Sequence, residues 1–193
     1  KIKRVPATEQ TGIYHGLWLR DHPQATPRQK ETMEMAYTYV EALWPYYVTA
    51  YPDDQLWKWL LVEDDFKVKI PEADTIIRGI FDGVCTKDTG TWVFETKGAS
   101  RIDEGDLEQT LPFNLQNMLY VVAFWRQTGI LPTGILYNVV RRPGQELKKG
   151  ESFGAFRERI QEDIEKRPDH YFHRWEIEIT KTQVERWFHH TLV

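Results

Sequence analysis

Three charged residues in "GIFDGVCTKDTGTWVFETKG", Gly79 to Gly98, stand where apolar strands are expected. Asp82 sits between Phe81 and Gly83, and Glu95 and Lys97 close the run "TWVFETK". A carboxylate near a sheet core is costly to bury without a partner. Residues two apart in a strand share a face, so Glu95 and Lys97 point the same way. The connector "TKDTG" is a turn signal. A hairpin turning symmetrically about Asp88 and Thr89 puts Asp82 opposite Glu95, and the three groups then converge. Two facing carboxylates repel, and a divalent cation resolves the repulsion. Oxygen donors without Cys or clustered His favour a hard ion, magnesium or manganese. A lysine beside them suits charge stabilisation or the orientation of a water molecule. Taken singly, these features have plainer readings: E-x-K and D-G are common, and an acid–lysine cross-strand pair is an ordinary surface feature.

The elements that must position these groups follow from periodicity and punctuation. "TPRQKETMEMAYTYVEALWPYY" predicts a helix capped by Thr26, with Pro27 in its first turn and a stop at Pro45. "LLVEDDFKVKI", "TIIRGIFDGVC" and "TWVFETKG" predict three strands, the last two a hairpin. "RIDEGDLEQT" reads as polar loop, and a helix is expected from Pro112 through "FNLQNMLYVVAFWRQ" to a stop at Gly129. Gln116 and Tyr120 fall on one face of it. "PTGILYNVV" and "YFHRWEIEI" are further strands, and "GESFGAFRERIQEDIEKRPD" and "TKTQVERWFHH" further helices. With no repeat or long Gly/Ser linker, this order predicts one α/β domain over 1–193, a central mixed sheet flanked by helices.

Bulk properties narrow the classes. A chain of 193 residues with 41% hydrophobic and 28% charged content can bury a sizeable core. Its net charge of -4 argues against a generally basic nucleic-acid binder while leaving room for a local basic groove. One cysteine, Cys85, excludes a disulfide framework or Cys-ligated cluster within the chain and fits a reducing compartment. No apolar run approaches the roughly 20 residues of a membrane span, and the basic start "KIKRVPATEQ" has no apolar core behind it. A start at Lys1 without Met reads as a trimmed fragment. Eight Trp are expected as core or groove-lining anchors.

In this order the motifs resemble the PD-(D/E)XK nuclease superfamily, in its RecB-type branch of phage and CRISPR-associated exonucleases. The branch has an Asp after an apolar strand with a preceding Gly, then E-x-K, then a helix bearing Q-x-x-x-Y. This chain has "RGIFDGV", "VFETKG" and "LQNMLYVVAF". The resemblance covers Val62 to Tyr120, and "GILYNVVRRPG" looks like the following strand of related phage nucleases. It implies a restriction-endonuclease-like core with magnesium or manganese held by Asp82, Glu95 and the Thr96 carbonyl. It further implies that Lys97 assists the attacking water and that Gln116 and Tyr120 position DNA. His15 in "GIYHGLW" matches a histidine that many members use as a further metal ligand. "VEDDFKV" resembles the segment before the Asp strand, which begins with Glu, here Glu63, in a role left open. The four cysteines of iron–sulfur members are absent, and so is the Pro of the PD motif, as is frequent in this branch.

Arg141 and Arg142 are expected to meet phosphates, with Lys148 and Lys149 in a nearby loop and Lys69 and Arg78 lining the same groove. The activity implied is a magnesium- or manganese-dependent deoxyribonuclease, an exonuclease on DNA ends or single strands. Its setting would be recombination or repair in the cytoplasm of a bacterium or phage-infected cell. Two other classes stand beside it. A non-catalytic DNA-binding or assembly module would retain the fold, but an intact Asp82, Glu95 and Lys97 set argues against it. A carbohydrate-binding domain would use an exposed Trp surface, which accounts for the aromatics but not the charges.

Overall fold

Strand and helix signals resolve, in the computed structural model, into a five-stranded mixed sheet with helices. Residues 15–102 and 104–193 are described. The basic start and the Gly12–Tyr14 part of the His15 motif lie outside them. The chain divides into two compact units: one ends at Pro52 and resumes over Arg142–Phe172, the other comprises Asp53–Arg141 and His173–Val193.

In the first unit, a helical segment over 15–21 (α1) precedes α2, Pro27–Ala50. Thr26 caps α2 with Gln29 in a reciprocal capping box, as its sequence predicts. The expected stop at Pro45 is wrong, because α2 continues to Ala50. Pro removes one backbone donor, and packing of the next turn outweighs that loss. Tyr46 Oη donates to Glu165 Oε1 at 2.6 Å, and Tyr47 sets its ring edge-on to Phe172. Helix α5, Phe153–Lys166, is capped by Ser152 and packs its buried Phe156, Ile160 and Ile164 inward. An Arg157–Glu41 ion pair at 2.8 Å ties α5 to α2.

The second unit holds β1 (Lys58–Ile70), β2 (Thr75–Lys87), β3 (Gly90–Ala99), β4 (Gly134–Arg141) and β5 (Phe172–Glu178), in spatial order β1-β2-β3-β4-β5. β1–β2 and β2–β3 are antiparallel and β3–β4 parallel. Between β3 and β4 run α3, Glu104–Thr110, and α4, Leu115–Thr128; α6, Lys181–Thr191, closes the chain. The segment read as polar loop is therefore partly helical, since Leu107 gives α3 one apolar anchor against the core. Helix α4 begins later than Pro112: Leu111–Phe113 form a 3₁₀ turn and Asn114 is the cap, accepting from Asn117 N–H. It stops where expected, at Gly129, whose φ of 75° suits glycine.

One face of the sheet buries Val84, Val93, Ile135 and Val139 with Met118, Val121, Val122 and Phe124 of α4, and Val184 and Phe188 of α6 join that core. A second cluster gathers Trp57, Cys85, Trp92, Phe94 and Leu136, with Trp59 against it. Burial pushes the Cys85 thiol up to about 12, so this cysteine is a packing residue. Of the eight Trp, Trp57 and Trp92 are buried and the other six half-buried. No helix among the described residues is long and apolar enough to cross a membrane.

Gly134 opens β4 where a Cβ would lie 2.1 Å from the Ile177 carbonyl oxygen, a backbone atom that has no side-chain freedom to yield. Gly134→Ala is expected to destabilise by about 3 kcal/mol or more, at the upper end of overpacking costs. A thermal denaturation midpoint within a degree of the parent would show that the strand yields freely.

Candidate active site

The β2–β3 hairpin turns where the sequence predicts. Lys87 pairs with Gly90 and Gly83 with Phe94, so Asp88 and Thr89 form the turn and Asp82 is the next position, opposite Glu95. Pairing stops there. Asp82 Oδ2 instead accepts the Thr96 N–H at 2.8 Å. In an antiparallel pair a residue directs its N–H and C=O to the same neighbour, so the Thr96 carbonyl leaves β3 on the Asp82 side.

The opposite flank of Asp82 is broken as well. Val62 pairs with Gly83 and Asp64 with Phe81, while Glu63 and Asp82 between them drop out. Glu63 has φ 48°, the left-handed region, which costs a non-glycine residue about 1–2 kcal/mol. The irregularity shifts the pleat. Phe81 and Val84, three apart and hence on opposite faces of a regular strand, both pack in the α4-side core. Asp82, two residues from Val84, keeps the Glu95 face set by the hairpin register, and its charge opposes the Glu95 carboxylate. Glu63, left open in sequence, has a structural part in this: its backbone frees Asp82 from the ladder.

Glu95 has no exposed surface. Its Oε1 accepts from Gln116 Nε2 at 2.9 Å and pairs with Lys97 Nζ, whereas its Oε2 is buried without any partner. Lys97 Nζ also donates to Gln116 Oε1 at 3.1 Å, and Gln116 Nε2 donates to Tyr120 Oη at 2.9 Å. Both amide hydrogens of Gln116 are thus used within the cluster. The Tyr120 hydroxyl accepts one and keeps its own hydrogen to donate outward. Tyr120 also sets its ring edge-on to Phe66 and Phe81. Gly79 permits this approach, because a Cβ there would lie 2.7 Å from Phe66 Cζ and 3.5 Å from Tyr120 Cε1.

Electrostatically the cluster is over-negative. Burial raises the Glu95 pKa, and the Asp82 charge adds to this against the Lys97 and Gln116 hydrogen bonds. For Lys97 burial opposes the charge, but the Glu95 contact outweighs it and the pKa rises. Burial likewise raises Tyr120, with the Glu95 and Asp82 charges reinforcing it, so its hydroxyl stays neutral. The candidate ligand atoms here are all oxygens: the Asp82 and Glu95 carboxylates and the Thr96 carbonyl. That set fits a hard divalent cation. Among the described residues no three His, Cys, Asp or Glu side chains are grouped to hold a metal ion.

Asp82, Glu95, Lys97, Gln116 and Tyr120 are thus brought together, with Thr96 at their edge. His15 lies in the first unit, where its Nε2 is 3.2 Å from Glu34 Oε1 and its ring stacks on Tyr37 at 4.6 Å. Arg141 ends β4 opposite Ala99, two residues beyond Val139 on the face of Lys97. Exposed Arg142, Lys148 and Lys149 belong to the first unit. The expectation that Lys69 and Arg78 line the same groove is corrected. Val68, Ile70 and Gly79 turn to the α4 side, so Lys69 and Arg78 turn to the opposite face. One neighbour was missed in sequence: Tyr137 pairs with Glu95 across β3–β4, and burial raises its pKa, with Glu95 adding and Lys97 opposing. Its signal was slight, a lone phenol in the apolar run "GILYNVV".

In comparisons with known proteins, no family model matches the chain and no curated protein matches it in sequence.

Two stability predictions follow from this geometry. A carboxyl whose folded pKa is raised stabilises the fold only below its unfolded pKa, and that contribution is lost as pH rises through the folded value. Glu95→Gln is therefore expected to stabilise the metal-free protein at pH 7 by about 1 kcal/mol, roughly 2–4 °C. The gain should shrink as the pH is lowered through the Glu95 titration; a gain independent of pH would contradict the charge origin. At Glu63, Gly is expected to be neutral or stabilising by up to about 1 kcal/mol, whereas Val should restore ladder pressure on Asp82. Faster hydrogen exchange at the Thr96 amide in Glu63→Val but not in Glu63→Gly would report it.

Proposed function

We propose that this chain is a divalent-cation-dependent deoxyribonuclease of the PD-(D/E)XK kind, an exonuclease acting on DNA ends or single strands. The observation that carries the reading is the unpartnered, fully buried Glu95 oxygen beside Asp82, in a cluster where one lysine faces two carboxylates. The order helix, three strands, helix, strand over α2, β1, β2, β3, α4 and β4 supports it, since it carries the motifs in the sequence the resemblance requires. Magnesium or manganese would be held by Asp82, Glu95 and the Thr96 carbonyl, supplying Lewis-acid activation of water and neutralisation at the phosphate.

The remaining roles belong to the side chains. Lys97, fixed by Glu95 and Gln116, points an ammonium at the cluster, where it orients the attacking water or stabilises developing charge. Gln116 spends its amide on Glu95 and Tyr120, so it positions the carboxylate and, through its carbonyl, the lysine. Tyr120 offers its remaining hydrogen to a nucleotide beside the scissile phosphate. Arg141 and Arg142 give the phosphate backbone cationic partners. Such an enzyme would serve DNA recombination or repair in the cytoplasm.

The test is cleavage of end-labelled and circular DNA, single- and double-stranded, with magnesium, manganese or EDTA. Activity is expected only with metal and should fall about 10²–10⁴-fold in Lys97→Ala at unchanged circular dichroism. Full activity in folded Lys97→Ala would remove these residues from the chemistry. No cleavage of any substrate by the parent would leave the non-catalytic DNA-binding module.

A further inference from the structure

We propose that the outer face of the β1–β2 ribbon is a docking surface for duplex DNA, distinct from the Glu95 cluster; the identity of the partner rests on the DNA reading above. Pairing of β2 with β3 ends at Gly83, whereas pairing of β1 with β2 continues to Ile70 opposite Thr75. Beyond Asp64 and Phe81 the two strands are therefore a ribbon at the sheet's edge, paired with each other alone. Its inner face is Phe66, Val68 and Ile70, buried in the core with Tyr120 against them. Alternation leaves the outer face to three cross-strand pairs, Asp65 with Ile80, Lys67 with Arg78 and Lys69 with Ile76.

That face carries penalties for folding. Lys67 and Arg78 stand directly opposite each other, and like charges so placed are destabilising. Among the described residues neither they nor Lys69 has an acidic group within 4.0 Å. Ile76 and Ile80 are 47% and 52% exposed on either side of the cationic pair. A chain of net charge -4 thus presents three cations without an ion-pair partner against one carboxylate on a single strand-ribbon face. An anionic partner with apolar features removes both penalties. A two-stranded ribbon has the dimensions the major groove admits; there the cations meet phosphates and the isoleucines meet thymine methyl groups and sugars.

The experiment is fluorescence anisotropy of the full chain with a labelled DNA duplex in EDTA, across a salt series. The parent is compared with the triple variant Lys67→Gln, Lys69→Gln, Arg78→Gln and with Arg78→Gln alone. Because the substitutions relieve repulsion at exposed positions, the melting temperature should hold or rise. The triple variant is expected to bind duplex at least about tenfold more weakly near 0.1 M salt. Its log K against log salt should be shallower by roughly 2–3, and that of Arg78→Gln by about 1. Unchanged duplex affinity and slope, a loss confined to single-stranded DNA, or a parent that binds no duplex would each overturn the proposal, the last in favour of an acidic protein partner. Cleavage is scored separately. A parent that cuts nothing while the triple variant loses duplex binding removes the catalytic reading and leaves the ribbon surface standing.

Discussion

A carboxylate with no exposed surface and one unpartnered oxygen is expensive to fold around. Glu95 is that group, and the surrounding architecture can be read as what makes it tolerable. Oε1 is held by Lys97 from the same strand face and by Gln116 from α4. Gln116 is in turn fixed by Tyr120, whose ring is locked between Phe66 and Phe81, so the apolar core sets the position of the polar cluster. Asp82 makes matters worse. The hairpin register puts it on the Glu95 face, and beside the left-handed Glu63 the interrupted ladder leaves it without a strand partner there. Backbone strain at Glu63 thus accompanies the crowding of a second negative charge against the first. That crowding is a cost to stability, and the cation-binding proposal rests on it.

Much of this cluster was legible because strand periodicity is rigid. Two-residue spacing put Glu95 and Lys97 together, and a two-residue turn fixed Asp82 opposite Glu95, as the pairing bears out as far as Gly83. Helical spacing likewise put Gln116 beside Tyr120. What stayed hidden depended on departures from periodicity or on contacts distant in sequence. The phase shift at Glu63 has no local signature, because a glutamate does not advertise a positive φ. That shift is also why Lys69 and Arg78 were assigned to the wrong face. Pro45 carried a correct local penalty that the packing of Tyr46 and Tyr47 overrode. Helix α3 depends on a single leucine finding the core, which a polar decapeptide does not disclose.

The two faces of the sheet make the imbalance interpretable. Behind β4, Arg174 forks onto Asp54 at 2.6 and 2.8 Å, reaches Asn138 Oδ1 at 3.2 Å and lies over the rings of Trp57 and Phe94. There one buried cation meets one carboxylate, and the aromatic faces complete its surroundings. Asn138 and Tyr137 are consecutive residues of β4, so the charge-balanced pair and the Glu95 cluster are divided by a single strand. Around Arg174 a cation meets a carboxylate, whereas the Glu95 cluster assembles two carboxylates and one lysine. A desolvated excess of negative charge beside a neutral phenol is the feature on which the cation proposal rests. On the proposed reading, a divalent ion there would leave positive charge over for an anionic substrate group, in a cluster that already holds the Tyr120 phenol and the Lys97 ammonium.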